Sequence, residues 1–167
     1  EYIWNHSLTV AVVAKVVSEH IYGEDQPHFY VFGLLHDIGK IVLYVKDSAR
    51  FQESLEKGIV KELNFVNAEK EIFGYSHIEA GYFMVDKLGF SHRMKNVVLF
   101  HHNPEYSPSK ERTHWIISLS NELAHHIYDN KPIDLQTYLQ RLNLPENQFN
   151  DLIQKAQEQV EQYRALL

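Results

Sequence analysis

The stretch from Gly33 to Lys40 constrains the fold of this chain more than any other, because it puts two metal-binding side chains on consecutive residues. Neighbouring residues of an α-helix point about 100° apart, so His36 and Asp37 cannot both face one site from the middle of a helix. They can do so where a helix ends, and Gly39 allows the backbone to turn there. The sequence therefore predicts a break between two helices here, with Lys40 bringing a cation beside the two side chains.

Helical periodicity, interrupted by capping and breaking residues, runs through the rest of the chain. Ser76 and Glu79 have the spacing of a capping box, which starts a helix. No segment is predicted to form a β-strand, so we predict an all-α fold. The predicted helices cover about residues 3–22, Pro27–His36, a segment from about Lys40, Ser48–Lys57, a segment capped by Asn67 that ends at Phe73, Ser76–Leu88, a segment from Ser91 to the double histidine, Lys110–Tyr128, Leu135–Leu142 and Pro145–Leu167.

Composition excludes several classes of function. A chain of 167 residues that is 44% hydrophobic fits one globular domain, and its net charge of −6 argues against a nucleic-acid partner. No apolar run approaches the roughly 20 residues of a membrane span, and no signal peptide is visible. We therefore expect a cytoplasmic protein without a membrane partner.

The chain opens without Met on a helical pattern, and we expect it to be a segment of a longer protein.

Two pairs of adjacent candidate ligands stand at predicted helix ends, His36-Asp37 and His101-His102. They predict a dinuclear site in which His36 binds one metal and the Asp37 carboxylate bridges two, an arrangement suited to phosphoester hydrolysis. Because the chain has no Cys, the ligands are nitrogen and oxygen atoms, and we favour a divalent metal such as iron or manganese over zinc. The complete set of candidate metal ligands is His6, His36, Asp37, His77, His101 and His102.

Each of these residues also has an ordinary interpretation. Lys40 alone would be a solvated charge, and Glu71 alone would be a helix-surface charge, although Glu71 could also support a metal-binding histidine. The combination of segments, and no single residue, favours a site. The remaining histidines are interpreted as ordinary core or surface residues: His20, His28, His92, His114, His125 and His126.

Four segments together resemble the HD-domain superfamily of metal-dependent phosphohydrolases, and its HDOD branch in particular, with the HD-GYP phosphodiesterases next. The segments are Trp4–Ser7, Gly33–Lys40, Glu71–His77 with the following Ala80-Gly81, and Phe100–Pro104. The resemblance implies an HD-type, phosphodiesterase-like helical bundle over residues 1–128, with C-terminal helices of residues 129–167 packing on the same domain. It also implies that the six candidate ligands bind metal, with Asp37 and Lys40 as the catalytic residues of an active domain.

Two departures bear on activity. HD-GYP enzymes carry an Asp-Gly-x-Gly-Tyr-Pro run where this chain has Glu105–Pro108, and Asn121 stands where catalytic HD proteins supply a last metal-binding Asp. Both departures favour a bacterial signal-transduction domain that binds a signalling protein or a nucleotide-type ligand. The intact His and Asp set favours a phosphohydrolase acting on a nucleotide or cyclic dinucleotide phosphoester. A helical interaction domain with vestigial histidines is the third reading, and the sequence leaves activity and oligomeric state open.

Overall fold

The computed structural model describes residues 2–60, 65–109 and 111–165, and every regular element in these ranges is helical. The all-α prediction is therefore confirmed. The α-helices are α1 (Tyr2–Tyr22), α2 (Pro27–Leu35), α3 (Ile38–Lys46), α4 (Ser48–Val60), α5 (Phe65–Phe73), α6 (His77–Lys87), α7 (His92–Phe100), α8 (Arg112–Asp129), α9 (Leu135–Leu142) and α10 (Glu146–Arg164). In the described part of the chain, no helix combines the length and the hydropathy that crossing a bilayer requires.

Most predicted helix starts are confirmed. Ser76 is the N-cap of α6, and its backbone N–H donates to the Glu79 carboxylate at 2.7 Å, as a capping box requires. The prediction that Asn67 is the N-cap of α5 was wrong. This helix begins at Phe65, so Asn67 lies inside its first turn. The predicted start of one helix at Lys110 and the predicted end of the last helix at Leu167 lie outside the described residues.

The first compact unit contains the residues up to Leu35 and those from Phe100 onward. Its central helix is α1, which packs against α2, α8 and α10 and is buried along most of its length. Helices α1 and α2 approach closely at Gly33, where an added Cβ would lie 2.7 Å from the Cα of Ala11. Helix α10 contributes the apolar residues Phe149, Leu152, Ala156 and Val160 to this core.

The second compact unit runs from His36 to Leu99, and its main contact is between α3 and α6. The two helices cross at Gly39 and Gly81, where their backbones touch. An added Cβ on Gly39 would lie 1.8 Å from the carbonyl oxygen of His77, and one on Gly81 would lie 3.1 Å from the backbone nitrogen of Gly39. The crossing brings the first residue of α6, His77, to the start of α3.

Candidate metal centre

The predicted helix break at the His-Asp pair is confirmed, since α2 ends at Leu35 and α3 begins at Ile38. Asp37 is the N-cap residue of α3, but its side chain makes no capping hydrogen bond to that helix. Its carboxylate is therefore available to other side chains. Both His36 and Asp37 are buried, with exposures of 0% and 1%. Burial of a carboxylate is costly unless charged or hydrogen-bonding groups surround it.

Two imidazoles face the two oxygen atoms of the Asp37 carboxylate. Nε2 of His36 lies 3.4 Å from Oδ2, and Nε2 of His77 lies 3.3 Å from Oδ1. His77 is also buried, with an exposure of 1%. The second unit thus holds a buried group of nitrogen and carboxylate oxygen donors that could bind a metal ion.

Glu69 fixes the orientation of His77 from the side opposite Asp37. Its Oε2 accepts a hydrogen bond from the backbone N–H of His77 at 2.7 Å and lies 2.6 Å from the ring Nδ1. A neutral His77 with its proton on Nδ1 donates to Glu69 and presents the lone pair of Nε2 toward Asp37. Metal-binding histidines are typically supported by a carboxylate in this way. The residues present therefore fit a metal ion, because Nε2 of His77 and Oδ1 of Asp37 are close enough to act as neighbouring ligands of one cation.

Glu71 is the surface charge that its ordinary interpretation predicts, and the carboxylate that supports His77 is that of Glu69, which the sequence did not single out. Glu71 is about half exposed and pairs with Lys57. Helix α5 instead buries Glu69 together with Ala68. The signal was present in the sequence, since Phe65, Ala68, Glu69 and Ile72 have the i, i+3, i+4, i+7 spacing of one apolar helix face. A lone carboxylate on such a face marks a buried and partnered acid.

Lys40 belongs to the same group and is not a solvated charge. Its Nζ lies 2.5 Å from Oδ2 of Asp37, one turn further along α3, and its side chain is only 13% exposed. The ammonium group therefore offsets part of the cost of burying the carboxylate.

The first unit carries the other predicted ligands. His6 of α1 and His101 are buried, with exposures of 6% and 0%, whereas His102 is exposed. The rings of His101 and His102, which follow the end of α7, have centroids 4.1 Å apart. That His6, His101 and His102 share metal with Asp37 and His77 stays a prediction.

Helix α8 packs against α1, the helix of His6, and carries Asn121 and His125. Asn121 is buried, with an exposure of 3%. His125 was interpreted from the sequence as an ordinary helix-surface histidine, but its ring lies against that of His6. The spacing of four residues places His125, and not His126, on the same face of α8 as Asn121, but this pattern does not identify His6 as the partner.

An all-helical chain with a buried His-Asp pair at a helix break is of the HD type predicted above. Residues 1–104 match the HDOD domain, and the chain belongs to this family. A search of curated proteins found no match.

Three solved structures share the fold. An HDOD domain protein of unknown function from Geobacter sulfurreducens is 22% identical with a TM-score of 0.69, and the chain spans 58% of it. A "putative phosphohydrolase" from Shewanella amazonensis is 18% identical with a TM-score of 0.73, and the chain spans 62% of it. The MmoQ response regulator from Methylococcus capsulatus is 20% identical with a TM-score of 0.69, and the chain spans 59% of it. These matches cover 98%, 95% and 90% of this chain, respectively.

Proposed function

We propose that this chain is a bacterial HDOD-type regulatory domain that retains a divalent metal centre at Asp37, whose two carboxylate oxygens face His36 and His77. The observation that carries the proposal is the support of His77 by Glu69. This support directs Nε2 toward a carboxylate oxygen 3.3 Å away, and a metal ion is the partner that suits two such donors. We further propose that His6, His101 and His102 complete a dinuclear centre that holds iron or manganese.

Two features of the chain support a regulatory function. Asn121 is buried on α8, and the resemblance aligns its neutral amide with the position where catalytic HD proteins have a metal-binding carboxylate. The segment after the double histidine forms a 3₁₀ helix, Pro104–Tyr106, whose Tyr106 is 74% exposed, and it lacks the run that marks cyclic di-GMP hydrolysis. A similar fold occurs in a protein named as a response regulator. The partner we propose is a signalling protein or a nucleotide-type ligand.

The test is to purify the protein without a histidine tag, reload it anaerobically with iron or manganese, and assay cyclic di-GMP and generic phosphodiesters. We expect stoichiometric metal without turnover. Binding of cyclic di-GMP to the loaded protein, measured by calorimetry, would then identify a nucleotide-type ligand. Absence of metal after reloading would overturn the proposal.

A phosphohydrolase is the second candidate, and the position of Lys40 favours it. The ammonium group is held 2.5 Å from Asp37, where it could steady a phosphate, while a bound metal would act as a Lewis acid on the phosphoryl oxygen. A protein of similar fold is named as a putative phosphohydrolase. Turnover of about 1 per second or more, abolished by Asp37→Ala, would replace the regulatory reading with this one.

An Asn121→Asp variant tests whether the amide at this position is the reason that the site does not hydrolyse phosphoesters. If the amide is the cause of inactivity, the variant gains hydrolysis at an unchanged metal content. A variant that stays inactive with a full metal complement would remove Asn121 from the explanation.

A further inference from the structure

The ring of His125 lies against the ring of His6 within the first unit. The two centroids are 4.8 Å apart, and the ring planes are tilted by 31°. His6 is on α1 and His125 is on α8, two helices that pack against each other. His6 is buried and His125 is half-buried. Two imidazoles from different helices thus meet beside a residue that the proposed function counts as a metal ligand.

The separation of the rings suits a shared metal ion. With a metal–nitrogen bond of about 2.0–2.1 Å, a ligating imidazole has its centre about 3.2 Å from the ion. Two such rings then lie about 4.5 Å apart at an octahedral angle and about 5.2 Å apart at a tetrahedral angle. The observed 4.8 Å falls between these values. Aromatic rings that merely pack can also lie at this distance, so an experiment must separate coordination from packing.

The position of His125 on α8 supplies the second argument. It lies four residues after the buried Asn121, and residues four apart share one face of a helix. The face of α8 that contacts His6 therefore offers an amide oxygen and an imidazole nitrogen, of which the imidazole is the stronger metal ligand. His126, the next residue, is directed elsewhere, because its Nδ1 lies 2.8 Å from the carbonyl oxygen of Lys131.

We infer that His125 is a further ligand of the metal centre and donates a ring nitrogen to the ion that His6 binds. The inference rests on the proposed function, in that it requires a retained metal. It assigns to α8 a nitrogen ligand one turn beyond Asn121.

The test is titration of the metal-depleted protein with Co²⁺ alone, followed by calorimetry and by the visible absorption of the bound ion. The variants are His125→Ala, His125→Phe and His126→Ala. Phenylalanine keeps an aromatic ring against His6 but has no donor atom, so His125→Phe removes coordination while preserving the packing. Circular dichroism of each metal-free variant establishes that the helices are intact.

If His125 is a ligand, His125→Ala and His125→Phe both weaken Co²⁺ binding by about tenfold or more and alter the absorption of the bound ion. His126→Ala then leaves binding within about twofold of the wild type. Wild-type affinity and absorption in His125→Phe would overturn the inference.

The same titration of Asp37→Asn separates this failure from a failure of the proposed function. If Asp37→Asn loses Co²⁺ while His125→Phe retains it, only the role of His125 is wrong. If the wild-type protein does not bind Co²⁺, both proposals fall.

Discussion

His77 and His102 are predicted to serve the same metal centre, yet their surroundings differ. His77 is buried, its ring and backbone both bond to Glu69, and the α3–α6 crossing fixes the start of its helix. His102 is exposed and follows the end of α7, with the ring of His101 beside it. A ligand that is already held needs little ordering when metal binds, whereas an exposed side chain loses rotamer freedom. His77 is therefore the more preorganised donor of the two.

The largest expected effect comes from the glycine crossing that holds His77 in position. Gly39→Ala would put a Cβ 1.8 Å from the carbonyl oxygen of His77, which the backbone cannot relieve locally. We expect a loss of about 3 kcal/mol or more in the free energy of unfolding, measured by urea denaturation. At Gly81 the nearest atom to an added Cβ is a side-chain methyl of Val98, at 2.9 Å. Gly81→Ala should therefore cost less, and equal losses would contradict this account of the crossing.

The second largest effect is expected when Glu69 no longer supports His77 as a metal ligand. Glu69→Gln keeps the shape of the side chain but removes the negative charge beside Nδ1, and we expect metal affinity to fall by about 10- to 100-fold. Glu71→Gln is the matched control, because Glu71 pairs with Lys57 on the surface. Competition with a chelator of known affinity measures both variants. Equal affinities in Glu69→Gln and the wild type would mean that Glu69 only stabilises the fold.

His101 and His102 of the first unit allow a buried candidate ligand to be compared with an exposed one. In metal-free protein, His101→Ala should lower the free energy of unfolding by about 1–3 kcal/mol, because it empties a fully buried position. His102→Ala should change it by less than about 0.5 kcal/mol. If both residues bind metal, both variants lose metal affinity despite this difference in stability. Unchanged metal affinity in His102→Ala would exclude the exposed ring from the centre.

The smallest effect concerns the capping box that starts α6. Burial acts to raise the pKa of Glu79, but hydrogen bonds from Ser76 and Lys70 outweigh it, and the net shift is downward. A lowered pKa means that the charged form stabilises the folded state above the ordinary pKa, and that this contribution is lost as pH falls through the folded value. Glu79→Gln keeps the capping hydrogen bond and removes only the charge of a half-exposed side chain, so it should cost about 0.5 kcal/mol or less at neutral pH. Thermal unfolding should show the difference from the wild type shrinking in acid; a constant difference would assign the effect to packing.

Much of the candidate site was predictable because it depends on local rules. Adjacent His36 and Asp37 require a helix break, and the Ser76–Glu79 spacing starts α6; both predictions are confirmed. The partner of His77 was missed although the apolar spacing of α5 marks the face that carries Glu69 as the buried one. The contact of His125 with His6 was missed for a different reason. It depends on the rotation of α8 against α1, and no local pattern in the sequence determines that rotation.

The central claim is that the buried His36, Asp37 and His77 group binds a metal ion. The most direct test is metal analysis by mass spectrometry of protein purified without a histidine tag and reloaded with iron or manganese. The comparison is between the wild type, Asp37→Asn and Asp47→Ala, since Asp47 lies at the opposite end of α3 and accepts a hydrogen bond from the backbone of Arg50. We predict stoichiometric metal in the wild type and in Asp47→Ala, and loss of most of the metal in Asp37→Asn. Full metal content in Asp37→Asn, or none in the wild type, would contradict the claim.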